Sequence, residues 1–144
     1  MCEYWRAWKL WWVIIINEIN YNPALSYGQS DANYEFIELY NNSDSPVNLS
    51  EWIFSASNFD VIFEDIFINS YGYLLLARNA ETYPGSIEYD GALSNSSTTL
   101  TLTDNLDQII DQVTYDDDEP WPSEADAGGS TLELINPEFD NSLY

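Results

Sequence analysis

The sequence has no histidine, one cysteine and only three basic residues in 144. The lack of histidine removes the commonest general base and the commonest zinc ligand together. It excludes Ser–His–Asp catalysis, and Cys2 alone can form neither an intrachain disulfide nor a thiolate metal site. Against the 3 basic residues stand 25 acidic ones, a net charge of −22. Arg6 and Lys9 lie within the first ten positions, so the body of the chain has Arg78 as its single cation. Such a surface repels phosphate backbones, which excludes nucleic acid as a partner. No glycine-rich phosphate loop is present. No apolar run approaches the ~20 residues that span a bilayer, so no membrane insertion is expected.

What is present is greasy and aromatic: 45% hydrophobic residues and 16% aromatic ones, too many for a disordered tail. A chain of this length makes one domain and buries roughly 68–70% of its unfolded surface. The acidic excess as a whole reads as a solubility feature, although it also suits divalent cations and basic partners.

Residues 1–12 differ from the rest and hold four of the six tryptophans. Their short apolar run lacks a small-residue cleavage site, and cleavage there would remove the first strand, so no export signal is visible. They read as an atypical segment, a truncated upstream piece or an artefact of expression, with an extended edge strand as the plain alternative. The folded body is residues 13–137, and 138–144 is a C-terminal tail.

The stretch Tyr34-Glu35-Phe36-Ile37-Glu38-Leu39-Tyr40-Asn41 is the clearest strand. Side chains alternate across a strand, so Ile37 and Leu39 face inward and Phe36, Glu38 and Tyr40 outward. Glu35 falls in the inward phase at the strand's start, which places it at a rim. Before this strand, Val13–Tyr21 alternates Ile15, Asn17 and Ile19 against Ile16, Glu18 and Asn20. After it come Leu49–Phe54, with Trp52 as a core tryptophan, and the apolar runs 60–63 and 66–68. The run 71–77 reads as a strand covered on both faces, and 78–97 as loop. Then follow the hairpin 98–115, turning at Asp104–Asp107, and a last strand, 130–135. No window carries a capped 3.6-residue period. Short strands punctuated by turn residues predict an all-β antiparallel two-sheet sandwich.

The order of these segments resembles the lamin-tail domain in its bacterial form, an immunoglobulin-like β-sandwich. The residues that carry the likeness begin with Ile16-Asn17-Glu18-Ile19, Tyr21-Asn22-Pro23 and Glu35–Asn41. They continue with Val47–Trp52, Gly72–Ala77 and Leu93-Ser94-Asn95, then Leu100–Asp104, Ile110–Tyr115, Pro120-Trp121-Pro122 and Ser130–Leu134. The chain departs at Glu51, where such domains often have glycine before the tryptophan, and at Ser96-Ser97 and Asn105-Leu106, which lack the usual turn glycines. The resemblance implies a non-catalytic accessory or adhesion module of a larger exported bacterial protein, placed outside the cell or on its surface beside other domains. It gives no reason to transfer a nuclear-lamina role.

Three constellations could carry chemistry. Hard cations take six to eight oxygen ligands, and Glu18, Glu35, Asp116, Asp117 and Asp126 are candidate calcium ligands. Asp118, Glu119 and Glu124 lie in the same loop, whose spacing matches no EF-hand. A solvated acidic loop is the competing reading and the one the sequence favours. A glycosidase would need two carboxyl groups about 5–5.5 Å or 6.5–9.5 Å apart, drawn from Glu18, Glu35, Glu38 and Asp111. No spacing singles out such a pair. Third, Trp121 between two prolines, with Tyr40 and Tyr115, is a candidate binding face for a protein or carbohydrate partner, and Tyr21, Tyr27 and Tyr34 extend it. The competing role for Trp121 is to cover one end of the core. No cofactor is required by any of these readings; calcium is the one that the residues would suit.

Overall fold

Ile37 and Leu39 fall where the alternation puts them: in the computed structural model, which describes residues 13–141, both have no exposed surface. They belong to β2 (Phe36–Asn41), flanked by β1 (Ile14–Asn20) and β7 (Tyr73–Ala77), both antiparallel to it. β11 (Leu132–Glu133) adds to the outer side of β1, giving the order β11-β1-β2-β7-β8. β8 (Ile87–Glu88) lies parallel to β7, inside the stretch the sequence presented as loop and against the all-antiparallel expectation. The facing sheet has the order β10-β9-β4-β5, from β4 (Ile53–Ser55), β5 (Asp60–Ile62), β9 (Thr98–Thr103) and β10 (Ile109–Tyr115). β3 (Val47–Asn48) and β6 (Phe67–Ile68) form a separate two-stranded ribbon. Single 3-10 turns occupy Asp31–Asn33 and Ser123–Ala125. No helix among the described residues is long and apolar enough to cross a membrane. The reading of residues 1–12 lies outside the described residues.

The core sits between the sheets. Ile37, Leu39 and Leu76 meet Phe54, Leu100, Leu102 and Val113 across it. Trp52 is half-buried and packs against this cluster, so it lies at the margin of the core. Three tyrosines, Tyr21, Tyr89 and Tyr115, supply much of the rest. Tyr21 stacks on Tyr115 with ring centroids 4.6 Å apart, and Tyr89 on Phe59 at 4.2 Å. Gly91 runs so close to Phe59 that a Cβ there would meet its ring at 2.6 Å. Ala125 and Leu132 also belong to the core, so its packing continues past the acidic loop.

Four expectations are corrected. The simple alternation along β1 fails because a β-bulge between Ile16 and Glu18 inserts one extra residue. Ile14 and Ile16 therefore face the core before it, and Ile19 after it. The segment 71–77 is not covered on both faces: Tyr73 is 61% exposed, and only Leu76 and Ala77 are buried. The strand expected at Leu49–Phe54 is divided by a turn closed by Trp52 N–H donating to Leu49 O at 2.9 Å. The last strand shortens to two residues. Asn41, the last residue of β2, is fully buried. Its amide donates to the carbonyls of Ser45, Ile68 and Asn69 at 2.8–3.0 Å.

The turn before Trp52 places Glu51 at φ 67°. The left-handed region costs an L-residue about 1–2 kcal/mol, and glycine avoids that cost at an entropic loss of about 0.5–1 kcal/mol. Glu51→Gly is therefore expected to stabilise the fold by about 0.5–1 kcal/mol in urea denaturation; a loss of stability would show that the Glu51 side chain holds the turn.

Candidate functional site

Glu35 is the first residue whose position differs from its expectation. It is not at a rim: it has no exposed surface, because the inward phase of β2 carries it beneath the loop that follows β7. Arg78 Nη1 donates to its Oε1 at 3.0 Å, and Leu93 N–H and Tyr89 Oη donate to its Oε2 at 3.0 and 3.3 Å. Arg78 also reaches Asp31 at 3.6 Å. Burial pushes the Glu35 carboxyl above the usual carboxylate range, while Leu93 N–H and the Arg78 charge pull it down without cancelling the rise. Sequence reasoning missed Arg78 as the partner, although it is the only basic residue in the described chain. Glu35 is thus a structural anchor and does not meet Glu18 at a common edge.

Glu18 lies on the outer face of its sheet. Its register partners are Glu38 on β2 and Glu133 on β11, which makes a row of three carboxylates across adjacent strands. Thr131 Oγ1 donates to Glu18 at 2.6 Å and Asn17 Nδ2 to Glu38 at 2.9 Å, so neutral donors offset part of the repulsion. Burial first, then the charges of Glu18 and Glu133, raise the Glu38 carboxyl above its ordinary range, against the Asn17 hydrogen bond. Asp111 faces the other way. It is 7% exposed and accepts from Ile16 N–H at 2.7 Å, Asn141 Nδ2 at 2.7 Å and Gln112 N–H at 2.9 Å. It bonds backbone on both sides of the core, Gln112 N–H of its own strand and Ile16 N–H of the opposite sheet. Burial again raises its pKa, and these donors only moderate it.

The acidic loop after β10 gathers carboxylates of its own. Ligand oxygens of Asp116, Asp117 and Asp118 all lie within 4.8 Å of one another. Asp126 is held at the far end of the loop, where Asn22 Nδ2 donates to its Oδ1 at 2.6 Å. The residues suggested for a cation therefore divide: Asp116 and Asp117 come together with Asp118, whereas Glu18 and Glu35 lie elsewhere.

The aromatic candidates divide too. Tyr115 is fully buried and donates to Ser94 O at 2.7 Å, so it faces no partner. Its position in β10 put it in the same phase as Val113, and the loop beyond made the strand end look exposed. Tyr21 is likewise buried. Trp121 is half-buried against the core and lines an apolar groove of about 840 Å³ with Ile16, Ile19, Val113, Leu132 and Phe139. Tyr40 remains at the surface, its ring 4.8 Å from that of Tyr73. Tyr71 and Tyr73, which are 57% and 61% exposed, complete an aromatic patch that the reading of 71–77 as covered had hidden. A polar cleft of about 760 Å³ lies beside Arg78, lined by Asn79, Glu81, Glu88 and Asp90 among others.

The sequence profile of the Lamin Tail Domain family matches residues 13–117. No curated protein matches the chain.

The raised carboxyls set a pH dependence. Glu35, Glu38 and Asp111 hold a proton more tightly in the folded state than in the unfolded chain. Their protonation therefore adds stability that is complete below the ordinary carboxylate range and lost as pH rises through the raised values. Melting temperature is expected to climb on acidification from neutral pH to about pH 5, and Glu35→Gln to flatten that rise. Arg78→Met strands the buried Glu35 charge. At neutral pH it should cost about 2–3 kcal/mol, below the fully buried range because the guanidinium keeps some solvent contact. Chemical denaturation at about pH 5 should show a smaller loss, since Glu35 can then take up a proton.

Proposed function

The chain belongs to the Lamin Tail Domain family, and from that premise we propose that it works as a non-catalytic binding module within a larger exported bacterial protein. The observation that carries this reading is the aromatic patch of Tyr40, Tyr71 and Tyr73 on the outer face of the five-stranded sheet. Exposed tyrosines present large, rigid, amphipathic contact area at low entropic cost, which suits a protein surface or a sugar ring. The inward carboxylates support the non-catalytic part: Glu35 and Asp111 are each engaged by several donors that hold the fold. Neither is presented to a cleft as a poised acid or base. Placement outside the cell or on its surface, beside other domains, follows the same family reading.

A panel of surface polysaccharides and envelope proteins tests this directly. The wild-type chain should retain at least one of them, and the Tyr71→Ser/Tyr73→Ser variant should keep its melting temperature while binding at least about tenfold more weakly, a difference of about 1.4 kcal/mol. Unchanged binding by that variant would move the contact elsewhere. Hydrolysis of any glycan in the panel that disappears in Glu38→Gln would overturn the non-catalytic reading.

A further inference from the structure

Three neighbouring aspartates on a loop are, alone, a common solvated surface feature. Here a second observation points to a ligand. Tyr21 has no exposed surface, and its hydroxyl has no hydrogen-bond partner among the described residues. A buried hydroxyl in that condition has lost its water and gained nothing in return.

The two ends of the acidic loop adjoin this residue and its neighbour Asn22. The Tyr21 ring stacks on Tyr115, the residue directly before Asp116. The residue after it, Asn22, holds Asp126 through its side-chain amide, and its backbone carbonyl accepts Ala127 N–H at 2.9 Å. The hydroxyl accordingly feels the charges of Asp126, Asp117 and Asp116. A tyrosine hydroxyl carries its proton at neutral pH and can donate it in a hydrogen bond. Among the described residues no cation answers the loop, because Arg78, the one basic residue in 13–141, pairs with Glu35 and Asp31.

We propose that this loop is a calcium site, with Asp116, Asp117 and Asp118 as carboxylate ligands and the Tyr21 hydroxyl donating a hydrogen bond into the ion's ligand shell. The geometry suits that ion. Calcium–oxygen distances of about 2.3–2.6 Å allow two ligands of one ion to stand up to roughly 5.2 Å apart. The separations within 4.8 Å meet that limit. The donor set is all oxygen, which disfavours softer metals, and water can complete six to eight positions. Magnesium is the weaker candidate, since it demands a regular octahedron and gives up water reluctantly.

The test uses the full chain in about 0.15 M sodium chloride, which screens diffuse attraction to the acidic surface. Calcium chloride is titrated from micromolar to about 10 mM by calorimetry and by thermal melting, with magnesium chloride in parallel. Calcium should bind saturably with Kd near 10⁻⁴–10⁻³ M, the range of roughly comparable extracellular modules, and melting should follow RT ln(1 + [L]/Kd). Asp116→Asn/Asp117→Asn should weaken Kd at least tenfold. Tyr21→Phe should melt no lower than wild type without calcium, and bind the ion at least about threefold more weakly, because the shell loses a donor. An absent or unsaturable response to calcium would overturn the site, as would an equal response to magnesium or in the double Asn variant. If Tyr21→Phe leaves Kd unchanged, the hydroxyl's part in the site is overturned.

Discussion

A carboxylate with no exposed surface opens β2, and most of one end of the sandwich is arranged to tolerate it. Glu35 lies between the sheets because strand geometry leaves it no other face once Ile37 and Leu39 are inward. Burial of the charge is expensive unless donors surround it. The chain supplies them from three separate places: Arg78 at the end of β7, Tyr89 after β8, and the backbone of Leu93 in the loop beyond. One side chain thus fixes the course of residues 78–93. This is also why β8 can lie parallel to β7, since a stretch tied back to the start of β2 returns alongside that strand.

Asp111 repeats the device at another seam. It accepts from Ile16 N–H across the two sheets, and that donor lies beside the bulge in β1, where ladder pairing is interrupted. A buried N–H there needs a partner. The carboxylate provides one, and Asn141 bonds both to it and to Ile16 O, drawing the chain's last described residue onto the strand. Two inward acids therefore close two irregularities in an otherwise apolar interior. Each does so with a raised pKa, so the fold is held more tightly when they carry protons.

The sandwich itself was legible in the sequence because period-2 alternation survives wherever a strand has one wet face. β2 and β9 show this plainly: Ile37 and Leu39, and Leu100 and Leu102, are all buried. The order of segments made the family readable as well. What was not legible has local causes. A bulge changes the phase without changing composition, so β1 misled after Ile16. Glu35 obeyed the inward phase, but expecting a charge to avoid the core put it at a rim; the signal against that was the lone body cation, which needed an acid. Tyr115 looked exposed because it adjoins an acidic loop, yet it shares the phase of Val113 and is buried. The candidate cation ligands were legible only as composition. Which carboxylates meet depends on how loops close, and the junction of Asn22 with Asp126, 104 residues apart, has no sequence period behind it.

The commitment of Arg78 has a consequence for everything the surface can do. With that guanidinium drawn inward, the exterior of residues 13–141 has almost no positive charge with which to offset its carboxylates. Like charges then meet directly, as Glu133, Glu18 and Glu38 do across three strands, and only neutral donors such as Thr131 and Asn17 relieve them. At long range such a surface attracts cations and basic groups and repels anions, and Tyr71 and Tyr73 give it exposed uncharged aromatic area. The same ion pair that steadies the fold thereby spends the one cation of residues 13–141 on a buried acid and leaves the surrounding carboxylates without a counter-charge of their own.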